Sequence, residues 1–379
     1  MSDGIDELFQ SDFASFDQTS TLDPIIPLLC DRWLALSAMQ KAIRRGDSLT
    51  AQRALRTLYQ HDPSSTWRRL LVIACEDVGI GSLDAVVLTA RRSANAKARC
   101  DEAAALATAQ MLAEAPKDRS ADLLFAAALH DPTLEIARLR CRSASIARRL
   151  DFVADPTLSL PERALAVWHS SGVESRGERR VGPGDLDALM RTYAGLGVPE
   201  QLIEAVAVAV KKAREPFVLL LPLLWLAAAG SEAEFVDPPF APLRLVNGVP
   251  ICALDRHTRL GCQAIKRFAQ ENAEIARFLT ERGCRSGGEG ALRMAVFYAD
   301  GALVRPSFRW RHSAELVTAG VAADFQGVHV GPGVGAELVE LVAAQIADLD
   351  SIRSQLLSRA LPPPGQRPNG SFVVSGGRR

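Results

Sequence analysis

The 379-residue chain has no surplus of either charge, with 44 basic side chains against 44 acidic ones. A neutral total removes any whole-molecule electrostatic case for a nucleic-acid or membrane-surface protein. Aromatic residues make up only 6% and few are interleaved with the basic ones, which argues against a base-stacking platform of the single-strand-binding kind. No two cysteines are spaced C-x-x-C, and their total of seven is odd. Cys30, Cys75, Cys100, Cys141, Cys252, Cys262 and Cys284 therefore read as reduced, mostly buried thiols of a cytoplasmic protein. The longest apolar run, residues 217–229, contains Pro222 and is too short to cross a bilayer. No basic-then-apolar leader marks export.

Sequence patterns for catalysis are equally scarce. No G-x-x-x-x-G-K-[ST] phosphate loop, G-x-S-x-G elbow or H-E-x-x-H helix occurs. The glycines at 331, 333 and 335 flank Pro332 with no following lysine, so this stretch reads as a loop. Cys252, His257 and Cys262, with Asp255 between them, have zinc-ligand chemistry but no finger spacing and no fourth ligand. The segment from Asp255 to Gly261 is a polar, doubly basic loop, serving either as a contact surface or as a salt-bridged helix cap. Of the six histidines, His61, His130 and His169 sit near helix ends, where imidazole caps carbonyls. No catalytic residue, metal or cofactor is expected, and an enzyme would need an unrecognised polar pocket within residues 231–330.

What is present is a dense run of helices around the stretch WRRLLVIACEDVGIG, residues 67–81. Asp62-Pro63 supplies an N-cap and a first helical position. Leu70, Leu71, Ile73, Ala74 and Val78 form an apolar stripe, and Gly79 stops the helix. Glu76 and Asp77 sit in its last turn, where carboxylates oppose the helix dipole by roughly 0.3–1 kcal/mol each. Either local arginines such as Arg68, Arg69 or Arg91 answer them, or they hold a neighbouring subunit or a binding loop.

The remaining pattern is an all-α bundle followed by a second, mostly helical region with an irregular proline-rich insertion. Residues 1–27 form an acidic leader, whose first 24 residues hold six acids, no base, and Phe9, Phe13 and Phe16 on one helical face. A first helical domain spans 28–155, with helices over 28–44, 49–59, 82–90, 101–115, 120–129 and 131–150. Residues 156–161 read as a linker and 177–184 as a loop. A second domain spans 160–360, with helices from 185, over 200–214, 217–229, 264–282 and 335–359, and a turn or hairpin at Asn247-Gly248. Residues 361–379 have the composition of a disordered tail. Charge is uneven: residues 32–150 hold 19 Lys and Arg against 12 Asp and Glu. Arg138, Arg142 and Arg149 share a helix face. With Lys41, Arg44, Arg45, Arg91, Arg92 and Lys97 they form either a phosphate-tracking surface or a solvated arginine face.

Three segments carry a family resemblance. Ser37 to Arg44 followed by Gly46-Asp47, then Arg68-Arg69-Leu70 with Cys75-Glu76-Asp77-Val78-Gly79, then Ala109-Gln110-Met111-Leu112 with Ala115-Pro116-Lys117, run in order. Together they resemble the C-terminal region of the replication-associated recombination protein A family. These are bacterial relatives of the Werner-helicase-interacting ATPase, also called maintenance of genome stability protein A. The resemblance covers about residues 34–129, and the family-motif positions here are Arg68, Arg69, Glu76, Asp77, Gly79, Pro116 and Lys117. Cys75 stands where the family has serine, Gln40 where it has histidine, and Ile80-Gly81-Ser82-Leu83 replaces its LADP. The family's ATPase core finds no counterpart, since fewer than forty residues precede Ser37.

The resemblance implies a clamp-loader-type helical collar without its motor. Such a protein would be a cytoplasmic, oligomeric, non-catalytic accessory of DNA replication and recombination, binding DNA, a separate AAA+ ATPase, or both. The alternative is a protein-interaction scaffold without DNA binding. Without a phosphate loop, the chain is expected neither to bind nor to hydrolyse ATP. Calorimetric titration with ATP checks this, and micromolar affinity would count against it.

Overall fold

The computed structural model describes residues 25–174, 182–239, 243–282 and 288–361. The phenylalanine-bearing leader, most of the 177–184 loop, Cys284 and the tail beyond 361 lie outside these residues. The described chain is all-α, with nineteen α-helices and two short two-stranded ribbons. No helix among them is long and apolar enough to cross a membrane.

Short polar side chains set most helix starts. Asp31 accepts from the amides of Trp33 and Leu34 to open α1 (Arg32–Arg44), and Asp47 opens α2 (Ser48–His61), which packs on α1. Asp62 caps α3 (Pro63–Ile73) with Pro63 in the first turn. The helix then widens into a π-turn at Ala74–Val78 and tightens into a 3-10 turn at Gly79–Gly81. Ser82 and Asp101 cap α4 (Leu83–Ala94) and α6 (Glu102–Glu114), with α5 (Ala96–Arg99) between them. Next come α7 (Ser120–His130), α8 (Glu135–Ser143), α9 (Ile146–Ala154) and α10 (Leu160–Ser171), the last opened by a Ser159–Glu162 capping box. They are followed by α11 (Leu186–Gly195), α12 (Glu200–Ala213) and α13 (Leu221–Ala228).

The rest alternates ribbon and helix. Strand β1 (Ala233–Val236) precedes the hairpin of β2 (Leu245–Val246) and β3 (Val249–Pro250), turned at Asn247 and Gly248 with φ of 51° and 81°. Helices α14 (Arg259–Glu271), α15 (Ala273–Glu281) and α16 (Gly288–Val296) lead to a second π-turn, Phe297–Gly301. Strand β4 (Ser307–Trp310) pairs antiparallel with β1, Phe308 opposite Phe235. The described chain ends in α17 (Ser313–Gly327), α18 (Pro332–Ala344) and α19 (Ile346–Ala360).

Several expected helices are divided. Residues 131–150 form a 3-10 turn, α8 and α9, because Ala144 is extended and Ser145 caps a new start on the amide of Arg148. Residues 264–282 break at Asn272, which caps α15, and 335–359 break at Gln345. The 217–229 segment is a 3-10 turn, Pro216–Leu220, followed by α13 with Pro222 in its first turn. The glycine stretch at 331–335 is not a loop. Pro332 opens α18, and Gly335 lies directly on the ring of Phe325, where a Cβ would overlap it.

Residues 156–161 do not divide the core as the expected two-domain boundary would. One apolar core runs from Leu28 to Leu254 and takes in Phe308, Trp310, Leu316 and Leu357. A second gathers Ala264, Phe268, Leu292, Phe325, Leu338 and Ile352. Helix α17 crosses back to pack along α7. The approach depends on Gly320, where a Cβ would stand 2.7 Å from the Cβ of Leu123.

Filling that contact tests the packing. Gly320→Leu should cost about 1–3 kcal/mol through overpacking and lower the midpoint of thermal unfolding by several degrees. An unchanged midpoint in a calorimetric scan would mean α17 does not seat on α7.

Candidate functional site

The three sequence segments behind the family resemblance meet at one place. Asp77, at the π-turn after α3, is fully buried. Arg44 from α1 donates its Nε to Asp77 Oδ1 at 2.6 Å and an amino group to Glu76 Oε1 at 2.8 Å. Arg119, just after the Ala115-Pro116-Lys117 segment, stands 3.2 Å from the same Asp77 oxygen. Gln40 donates to Asp77 Oδ2 at 2.9 Å and to Glu76 at 3.2 Å, while its carbonyl accepts from Arg69. Arg119 also pairs with Asp122 of α7. The local arginines expected to answer the carboxylates are thus not the ones that do. Arg69 reaches them only through Gln40, and Arg68 donates to the carbonyl of Ala213 at the end of α12.

The C-terminal part of the chain completes the cluster. The second amino group of Arg44 donates to the carbonyl of Gly301 at 2.7 Å. The Phe297 ring lies beneath three guanidinium carbons: Arg44 at 5.4 Å, Arg119 at 5.1 Å and Arg256 at 4.8 Å. Beside it, Tyr298 donates to Asp324 at 2.6 Å. No sequence pattern marks Asp122, Phe297 or Gly301 for this site. Arg119 alone had a cue, two positions after Lys117.

Burial raises every carboxylate here, and its partners decide which stays ionised. Desolvation opposes ionisation of Asp77, but the charges of Arg44 and Arg119 overturn it and hold the group below the ordinary range. Glu76 is raised, by desolvation first and then by Asp77 and Asp122. Asp122 is raised for the same leading reason. A second buried pair lies nearby: Lys41 bonds Asp255 and the hydroxyl of Ser37. Against its desolvation, Lys41 draws Asp255 down to about 2. Asp300 joins Arg45 to Arg353. Removing one partner of such a pair costs roughly 3–5 kcal/mol, because the other charge stays buried.

Gly79 and Lys117 fix the corner beside the cluster. Gly79 has φ of +52°, and a Cβ would come within 2.5 Å of the Asp118 carbonyl oxygen, so only glycine fits. Lys117 is fully buried, with Nζ donating to the carbonyls of Ala113, at 2.8 Å, and of Ala115, which close α6. Its own amide donates to Pro306 and its carbonyl accepts from Phe308, both at 2.8 Å, which ties Pro116-Lys117 to β4.

The candidate phosphate contacts fare differently from one another. Lys41, Arg44, Arg138 and Arg149 are buried, so they cannot form a phosphate-tracking surface. Arg138 donates to the carbonyls of Ala128 and Asp131 at the end of α7. Arg149 donates to Cys141 and Arg142 in α8 and to His169 in α10. These side chains satisfy orphan carbonyls at helix C-termini, where positive charge also complements the dipole. Arg45 is bonded to Asp300, and Arg92 donates to Thr108 at 2.9 Å. Arg91, Lys97 and Arg142 are exposed.

Other candidates stay apart from the cluster. Among the described residues, no grouping of three His, Cys, Asp or Glu could hold a metal ion, and Cys262 donates to the carbonyl of Arg256. A cavity of about 810 Å³ lies between the end of α13 and the β1–β4 ribbon, lined by Ser231, Glu232, Glu234, Arg309 and Arg311 among others. It contains none of the motif residues, and the Ser231 hydroxyl donates to the Ala228 carbonyl rather than to either glutamate. Comparison with protein-family models, curated proteins and solved structures returns no match.

Lys117 provides a titration test. Desolvation, only partly offset by Asp77 and Glu114, pushes its ammonium down to about 7. In the unfolded chain it keeps its proton to the ordinary lysine value. Between these values the unfolded state binds more protons, so this group makes stability rise with pH. Urea melts between neutral pH and pH about 9 should show a steeper rise for wild type than for Lys117→Gln, which cannot titrate. Equal slopes would overturn the assignment.

Proposed function

We propose that the chain is a non-catalytic, self-associating helical scaffold that works through protein partners. The resemblance to a clamp-loader-type collar supplies the setting, cytoplasmic DNA replication and recombination, and makes a separate AAA+ ATPase the partner class that fits. The observation carrying this reading is the use of the basic side chains. Of the nine basic residues that the sequence offers to phosphate, Lys41, Arg44, Arg138 and Arg149 lie inside, capping helices or pairing with carboxylates. Arg45 and Arg92 have partners of their own, leaving Arg91, Lys97 and Arg142 exposed. Six of the nine are thus engaged within the chain, which supports the scaffold reading over the DNA one.

Two further observations support an interaction role. The family-motif carboxylates Glu76 and Asp77 bond to groups of the same chain and hold no reacting-group geometry. On α8, Ile136 and Leu139 are three residues apart and both exposed, an apolar pair suited to a subunit contact.

Fluorescence anisotropy with single-stranded, duplex and forked DNA at physiological salt and over a salt titration, with light scattering on the same samples, tests the proposal. Expected are a mass above the monomer and DNA binding no tighter than non-specific levels of about 10⁻⁶ M. Submicromolar binding with a steep salt slope, lost when Arg91, Lys97 and Arg142 become Gln, would restore the DNA reading. A strict monomer would overturn self-association.

A further inference from the structure

Two guanidiniums at the edge of the cluster have no carboxylate partner among the described residues. Arg69, on α3, gives one amino group to the carbonyl of Gln40, and its Nε is buried with no acceptor. Arg256, in the turn before α14, donates its Nε to His257 Nε2 at 3.0 Å and an amino group to the Met294 sulfur at 3.0 Å. A neutral ring nitrogen and a thioether are weak acceptors for a half-buried cation. The carboxylates nearby are engaged already: Glu76 and Asp77 by Arg44 and Gln40, Asp122 by Arg119, Asp255 by Lys41.

The two arginines belong to one locality. Arg256 lies on Phe297 with Arg44 and Arg119, and Arg69 holds the same Gln40 that bonds Glu76 and Asp77. Desolvation first, then the charge of Arg256 and more weakly those of Lys41 and Arg69, outweigh Asp255 and push the His257 imidazole down to about 4. The turn also leads into the N-terminus of the thirteen-residue α14, which adds positive potential. An uncompensated pair of partly desolvated guanidiniums is costly unless an anion joins it. Planar forks of N–H donors match the oxygens of phosphate better than a point charge does.

We propose that Arg69 and Arg256, with His257 beside them, bind the terminal phosphate of a phosphorylated small molecule. A terminal phosphate needs a single point of entry. A nucleic-acid backbone would need a continuous exposed track, which the burial of Lys41 and Arg44 removes. The site is independent of the scaffold reading, since a self-associating protein without DNA affinity would carry it equally well.

The experiment uses the full chain with inorganic phosphate as probe, read by calorimetry and by thermal unfolding in chloride buffer. Wild type and Arg191→Gln, an exposed control on α11, should bind phosphate and gain thermal stability. Arg256→Gln and Arg69→Gln should each weaken binding by about tenfold or more, the loss of one charge-assisted contact. Circular dichroism shows whether each variant keeps its fold. If Arg69→Gln unfolds, Arg256→Gln, on a turn, decides alone. No phosphate effect at tens of millimolar, or an effect that Arg256→Gln retains, overturns the site. Equal affinity for dimethyl phosphate overturns the preference for a terminal phosphate and assigns the arginines to a diester.

Discussion

A carboxylate without access to water needs positive charge brought to it, and Asp77 obtains that charge from two distant parts of the chain. Arg44 arrives from the first helix and Arg119 from the corner after α6. Each guanidinium then makes demands of its own. Arg44 requires the Gly301 carbonyl for its remaining amino group, and both rest on Phe297. The two π-turns lie at this junction, one supplying Glu76 and Asp77 and the other Phe297 and Gly301. A widened helical turn frees backbone and side chain from regular spacing, which is why such turns collect where several groups must converge.

The same accounting explains the basic excess of residues 32–150. Helices packed end to side leave carbonyl groups away from water, and each requires a donor. Arg68, Lys117, Arg138 and Arg149 supply donors to α12, α6, α7, α8 and α10. In an Ala-rich bundle with few polar side chains of other kinds, long cationic side chains can reach a neighbouring helix end while their stems pack on apolar surface. Arginine content therefore reports how many helix ends are buried as much as what the surface contacts.

Local chemistry made part of this readable in advance. The Asp62-Pro63 start of α3, its glycine stop, the Asn-Gly hairpin and the helical class all follow from backbone preferences acting over a few residues. The Glu76–Asp77 pair stood out because carboxylates oppose the helix dipole there. Which arginines answer it was not readable, because Arg44 and Arg119 are 33 and 42 positions away and nothing local distinguishes them from Arg68 or Arg69. The β1–β4 ribbon was hidden for a related reason, its strands being four residues each and over seventy apart. The break between α8 and α9 is encoded locally by Ser145, while the apolar spacing runs through it and masks it. At 331–335 glycine and proline suggested a loop, whereas Gly335 serves packing against Phe325.

The position of the closing residues along the chain has a consequence for biosynthesis. Asp77, Arg44 and Arg119 leave the ribosome long before Phe297, Gly301 and strand β4, which are made more than 170 residues after Arg119. Until then Arg44 lacks its Gly301 acceptor, the guanidiniums lack their aromatic floor, and α7 lacks the helix that covers Leu123. The charge cluster of the N-terminal half therefore closes only once those residues have been made. Final consolidation of the oldest part of the polypeptide is thus timed by the arrival of its youngest.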